Sequence, residues 1–211
     1  MPLPDFASHE IFPPFSSLPL TTTDTTTTTT PPSSTYLDSD HYLIAEISHN
    51  MTLTKPTLIL TDVSHASFAL VFDSRPGSGP DALDFAEIGY KRGRTLVVPR
   101  ATRSAPKEGA EGKQGFVAVG REQEGDVRVV AGGLERVMRV GMWLRQRDEE
   151  GNGEGKRGCG SCGKGKEDGG LMKCTGCGEV EYCGKECQVK GWNEGHKGDC
   201  KVIKGIRTIW G

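Results

Sequence analysis

Cysteine is absent from the first 158 residues of this chain, and all seven of its cysteines then fall between positions 159 and 200. Thiols confined to one stretch exclude a disulfide framework spread over the fold, and an odd number excludes a closed one. In a reducing compartment such clustering signals metal. Also lacking is any run of the roughly 18 apolar residues that a membrane-spanning helix needs. The start, MPLPDFASHEIFPPF, has no basic stretch leading into an apolar core, and prolines and acids interrupt it. It does not read as a secretory signal, so an intracellular protein, nuclear or cytoplasmic, is expected. Charge of one sign is scarce too: the formal net charge is −2, which gives no general attraction to nucleic acid or an acidic membrane. Apolar residues make up only 35% of the chain, too few for every segment to be packed.

What is present is unevenly distributed. The stretch TTTDTTTTTTPPSST is of low complexity, and residues 1–36 read as a structureless Thr/Pro-rich tail. From there to 147 the texture becomes β-like. Short runs at His41–Ile47, Thr57–Asp62, Ser67–Asp73, Arg94–Arg100, Gly115–Val119 and Val127–Val130 lie between turn residues. In the third, Phe68, Leu70 and Phe72 alternate with Ala69 and Val71, the period of a strand with one buried face. RPGSGPD at 75–81 and the polar stretch 103–114 read as loops. Leu134, Val137, Met138, Gly141 and Leu144 then recur at helical spacing with arginines off the stripe, predicting one amphipathic helix packed on the strands. Six short strands and a closing helix predict a small β-barrel at 37–147, and their order resembles an OB-type barrel. A glycine-rich linker follows at 148–158, then the cysteine module at 159–200 and a short tail at 201–211.

The module's arithmetic closes without remainder. Cys159 and Cys162 form a C-x2-C pair, as do Cys174 and Cys177; Cys183 and Cys187 form C-x3-C, and His196 and Cys200 form H-x3-C. Structural zinc takes four N/S ligands in a tetrahedron, so seven thiols and one imidazole in four pairs make two closed sites. C-x2-C turns bring two sulfurs to one ion, and residues four apart on a helix share a face. Spacing alone leaves open whether the pairs combine sequentially or interleaved. A segment this small cannot bury enough apolar surface to fold by itself, so the metal is expected to supply its stability. With no coordination position left for water, zinc chemistry is not expected.

The ligand order, together with Tyr182 before Cys183, Gln188 after Cys187, Trp192, and Lys197 after His196, resembles the MYND-type zinc finger. The resemblance implies cross-bracing: Cys159, Cys162, Cys183 and Cys187 on one Zn2+, and Cys174, Cys177, His196 and Cys200 on the other. It implies protein recognition, with Gln188 and Trp192 lining a groove for a short, proline-containing peptide of a partner. A pre-extended proline segment loses little entropy in an aromatic-lined groove. The competing role of Trp192 is to cap the finger's small core. Tyr182, Leu171 and Val180 read as packing residues, and His9, His41, His49 and His65 lack companion ligands.

The fold class expected is therefore mainly β with small α content: an OB-like barrel followed by a two-zinc finger of short hairpin plus helix. The function expected is that of a non-enzymatic adaptor in a regulatory assembly. Two other functions compete with it. Some MYND fingers sit in SET-domain lysine methyltransferases, but no SET-like segment, phosphate-binding glycine loop or nucleophile–base pair is visible. A single-stranded nucleic-acid binder would use the barrel, with Lys91, Arg92, Arg94, Arg100 and Arg103 beside Phe85, Tyr90 and Phe116. For the finger itself, residues 151–211 hold eleven Lys and Arg against eight Asp and Glu, and two zinc ions with seven thiolates cancel that excess. A near-neutral module favours protein over nucleic acid.

Overall fold

The computed structural model describes residues 3–21, 41–77, 82–105, 115–151, 158–165 and 170–211. The chain divides into two compact units, Ala7–Val129 and Val130–Gly211 joined by Met1–Phe6.

The first unit is built on strands β1 (Tyr42–Asn50), β2 (Thr57–Asp62), β3 (Ser67–Phe72), β4 (Arg75–Pro76), β5 (Ala82–Leu83), β6 (Thr95–Pro99), β7 (Phe116–Val119) and β8 (Arg128–Val130), with a short helix α1 (Arg121–Glu124) before β8. Six of these form one sheet in the order β7-β3-β2-β1-β6-β8, and β4 pairs with β5 apart from it. All six expected strands are present. β1 pairs antiparallel with β2 and β6, β2 antiparallel with β3, and β3 parallel with β7.

Alternation sets the register. Leu58 of β2 lies opposite Leu70 of β3, and Leu60 opposite Phe68, so one face carries a continuous apolar layer. A bulge in β1 between Ile47 and His49 bends that strand. β1 therefore follows β6 over Tyr42–Glu46 and β2 over Ala45–Asn50, which curls the sheet. The result is a mainly β, six-stranded half-barrel around Leu43, Leu58, Leu70, Phe72, Leu96 and Val117.

A buried carboxylate locks one end. Asp62, 1% exposed, accepts hydrogen bonds from the backbone N–H of Phe15 at 2.7 Å, of Ser64 at 2.9 Å and of Ala66 at 3.0 Å, and from the Ser64 hydroxyl at 2.7 Å. A charge can be buried only when its lone pairs are met in this way. The bond to Phe15 also ties in the N-terminal segment. Phe12, Phe15 and Leu18 are buried, and the Phe15 ring stacks on Phe68 at 4.4 Å. The expectation of a structureless 1–36 thus does not hold for residues 3–21. Their aromatic anchors lack a regular period and are hidden by the Thr-rich composition beside them. Residues 22–36 lie outside the described residues, as does 106–114 of the loop expected at 103–114.

The second unit holds α2 (Leu134–Gly151), β9 (Met172–Lys173), β10 (Glu181–Tyr182), α3 (Lys185–Gly191), a π-turn at Trp192–His196 and α4 (Lys197–Trp210). Here two expectations are corrected. The residues after Cys200 are not a tail: α4 continues to Trp210 and buries Val202, Ile203 and Ile206. The helix α2 packs against α4 of this same unit. The reason is the apolar face of α4, which needs a partner of its own length.

Phe6 completes this packing. A Cβ added at Gly141 of α2 would come within 2.5 Å of its ring, and the ring meets Trp210 edge-on at 5.4 Å. Ion pairs staple the two helices, Arg139 to Asp199 at 2.7 Å and Arg207 to Asp148 at 2.6 Å. Residues 148–151 of the expected linker continue α2, and 152–157 lie outside the described residues. Among the described residues no helix is long and apolar enough to cross a membrane.

Candidate metal centre

Two knuckles open the module, and they are built alike. After Cys162 the Gly163 N–H bonds back to the Cys159 carbonyl at 2.8 Å; after Cys177 the Gly178 N–H bonds back to the Cys174 carbonyl at 2.8 Å. Both glycines are left-handed, with φ of 72° and 73°. A side chain there costs backbone energy, although open space surrounds both positions. The Cys159 and Cys174 N–H groups bond to the carbonyls of Lys164 and Val180, which closes each loop.

The β9–β10 hairpin holds the two halves together. Met172 pairs with Tyr182 and Lys173 with Glu181, so Cys174 and Cys183 leave the hairpin directly after paired residues. Gly160 N–H donates to the Glu181 carbonyl at 2.7 Å and pins the first knuckle to β10. Cys187 lies in the first turn of α3, four residues beyond Cys183. Between α3 and α4 the chain kinks at Gly195, whose φ is 148°. Beyond that kink His196 and Cys200 share a helix face. Tyr182 is the centre of the small core: it is 1% exposed, sits 5.9 Å from the His196 ring, and touches where a Gly191 Cβ would stand.

The eight donors form two groups, Cys159, Cys162, Cys183 and Cys187, and Cys174, Cys177, His196 and Cys200, with donor atoms in each within 4.8 Å of one another. First joins third and second joins fourth. The chain is cross-braced, and the pairing that spacing left open is settled. The separations fit zinc. Zn–S bonds of about 2.3 Å in a tetrahedron place sulfurs about 3.8 Å apart. Cys162 and Cys183 sulfurs are 3.7 Å apart, those of Cys174 and Cys200 3.8 Å, and those of Cys183 and Cys187 3.4 Å. The Cys177 sulfur lies 3.7 Å from His196 Nε2. A disulfide would need about 2.05 Å, and every cysteine is free.

The thiols within each cluster also differ sharply in how readily they ionise. Burial opposes ionisation of Cys159, but the N–H groups of Cys162, Cys183 and Ser161 aimed at its sulfur bring it down to about 6. Cys174 likewise works against burial and reaches about 6 through the His196 ring and the N–H groups of Cys177 and Gly176. Their neighbours shift the other way: the hydrogen bond with Cys183 and then burial push Cys187 up to about 12, and burial and the Cys177 charge push Cys200 up to about 12. Four crowded donors cannot all ionise unaided, and a divalent cation between them removes the conflict.

The other histidines take no part in either cluster. His9, His49 and His65 are exposed, and His41 is buried with Nε2 on the Ala101 carbonyl. Gln188 is half-buried on α3, while Trp192 at its end is 38% exposed and Val189 52%. In the other unit Phe85 and Tyr90 belong to the core, leaving only Phe116 of those three aromatics exposed. The basic residues there are partly engaged: Arg94 bonds the Gly89 carbonyl, Arg103 the Leu18 carbonyl, and Arg100 pairs with Asp126. Lys91 and Arg92 stay exposed. What sequence reasoning missed is a cleft beside the finger, because one of its walls comes from α2, outside the cysteine spacing.

The class of the module follows from this geometry: a cross-braced finger with one four-cysteine site and one site of three cysteines and a histidine, both closed and both suited to structural zinc. Residues 159–200 match the family model of the MYND finger. The module is thus a MYND-type zinc-binding finger, a family of domains that generally serves protein interaction. Comparison of the chain with curated proteins gives no match.

Proposed function

We propose that this protein is a non-enzymatic adaptor of a regulatory assembly, in the nucleus or cytoplasm, whose finger docks short, extended, proline-containing segments of partner proteins. The observation that carries this reading is the exposure of Trp192. Its indole ring leans on the buried zinc ligand His196 at 5.9 Å, yet 38% of the residue faces solvent. Val189, one helical turn earlier, is 52% exposed. An aromatic and an aliphatic side chain held out by a metal-anchored helix give a peptide a rigid apolar rail. Gln188 on the same helix can supply the amide that fixes the peptide's carbonyls.

Closed coordination spheres support the non-enzymatic part of the proposal. The test is binding of zinc-loaded full-length protein to an array of proline-containing peptides, beside Trp192→Ala. A roughly ten-fold or greater loss of affinity with unchanged zinc content is expected, in line with truncation of an aromatic anchor. Equal binding by the variant contradicts the reading.

A further inference from the structure

The two zinc sites open with similar knuckles but sit in different surroundings. In the second site Cys174, His196 and Cys200 are buried and Cys177 is half-buried. In the first only Cys159 is buried; Cys183 and Cys187 are half-buried, and Cys162 is exposed.

The flanks of the ligands differ in the same sense. Glu179 follows the left-handed Gly178 of the second knuckle, two residues after Cys177. Its backbone carbonyl accepts an N–H of Arg147 on α2 at 2.6 Å, and its carboxylate accepts Nε–H of Arg207 on α4 at 2.8 Å. The other two nitrogens of Arg207 donate to Asp148 of α2, at 2.8 and 2.6 Å. One guanidinium therefore joins the knuckle to both helices through charge-assisted bonds, and its planar fork fixes their geometry. Side-chain exposures of 24% for Arg207 and 21% for Glu179 reduce screening by solvent and salt. At the far end of the same site Asp199 precedes Cys200 and accepts Arg139 of α2 at 2.7 Å. Among the described residues no ion pair ties a residue within two positions of a first-site ligand to α2 or α4.

We infer that the two sites release zinc in a fixed order. The first, Cys159, Cys162, Cys183 and Cys187, is the exchangeable site, open to chelators and thiol reagents. The second is retained by a clamp in which Glu179 and Arg207 are positioning residues. Opening the first knuckle breaks no ion pair with either helix. Opening the second pulls Glu179 off Arg207 and Arg147, and moving Cys200 disturbs α4, whose Val202 and Ile206 are wholly buried. Local opening follows the least costly set of contacts, so the first site opens more often. This order is independent of what the finger docks.

The experiment exposes zinc-loaded full-length protein to excess chelator together with N-ethylmaleimide and stops the reaction at successive times. Native mass spectrometry counts the ions, and peptide mapping locates the alkylated cysteines. A one-zinc species should accumulate with Cys159, Cys162, Cys183 and Cys187 alkylated and Cys174, Cys177 and Cys200 unmodified. Glu179→Gln removes one carboxylate from the clamp and leaves the Arg207–Asp148 pair in place. It should shorten the lifetime of the second ion about tenfold, the lower end of what residues that orient metal ligands contribute, without changing that of the first. Phe6→Ala is the control for a merely structural effect, because it loosens α2 and α4 without touching the clamp; it should change the second lifetime less than Glu179→Gln does. Loss of both ions in one step, or earlier alkylation of Cys174, Cys177 or Cys200, overturns the order. An unchanged second lifetime in Glu179→Gln, or an equal shortening in Phe6→Ala, overturns the clamp.

Discussion

The two units of this chain reach a folded state by opposite means. In Ala7–Val129 the stabilising matter is hydrocarbon: Leu43, Leu58, Leu60, Leu70 and Leu96 are wholly buried, and alternation along β2 and β3 places Leu58, Leu60 and Leu70 on one face. Among the described residues of the finger Tyr182 alone is a large, wholly buried side chain, and the remaining buried cluster is Cys159, Cys174 and Cys200. A fold of the first kind is written into residue periodicity. A fold of the second kind is written into ligand spacing and is conditional on a cation. The finger is not alone with its metal, however. Phe6, α2 and α4 give the second unit a helical apolar core of its own, with Val137, Val140, Leu144, Val202 and Ile206 buried.

Removal of zinc breaks this comparison most sharply. Structural zinc supplies roughly 10–16 kcal/mol of apparent binding free energy in finger peptides. Chelation is expected to unfold residues 159–196 and leave the half-barrel intact, which hydrogen exchange measured with and without chelator resolves segment by segment. Next in size is Phe6→Ala. Removing a buried aromatic ring costs about 3–5 kcal/mol, and the loss should fall on the α2–α4 unit. A drop in its melting temperature with no change in protection of β1–β3 is the expected result.

Asp62→Ala is the mirror experiment. It leaves the Phe15, Ser64 and Ala66 N–H groups without their acceptor, at about 1–3 kcal/mol for such a group left unsatisfied. It should loosen the half-barrel and the segment around Phe15, while zinc content stays at two. Smallest are Gly163→Ala and Gly178→Ala, at about 1–2 kcal/mol each for a left-handed residue with a Cβ. Competition with a chelator of known affinity should show weaker zinc retention in both, because each turn carries two ligands.

Legibility in the sequence follows the same division. All eight zinc donors can be named from spacing, and six strands from short β-type runs between turn residues, because both patterns are local. Cross-bracing is not local: it depends on the β9–β10 pairing that brings Cys183 to the first knuckle. The anchoring of residues 3–21 escapes a sequence reading because Phe6, Phe12 and Phe15 follow no period and partners such as Gly141 and Phe68 lie far along the chain. The packing of α2 escapes it for a related cause. Val202, Ile203 and Ile206 show helical spacing beyond the last ligand, but a module that ends at Cys200 leaves α2 only the strands to pack on.

The central claim is that two closed zinc sites hold the finger together while the half-barrel stands on hydrocarbon. Native mass spectrometry of the full-length protein, paired with an amide NMR spectrum before and after chelation, tests it most directly. The account predicts two zinc ions per chain and, on their removal, collapse of dispersion for residues 159–196 with the resonances of β1–β3 unmoved. Retained dispersion across 159–196 after both ions have left would contradict it.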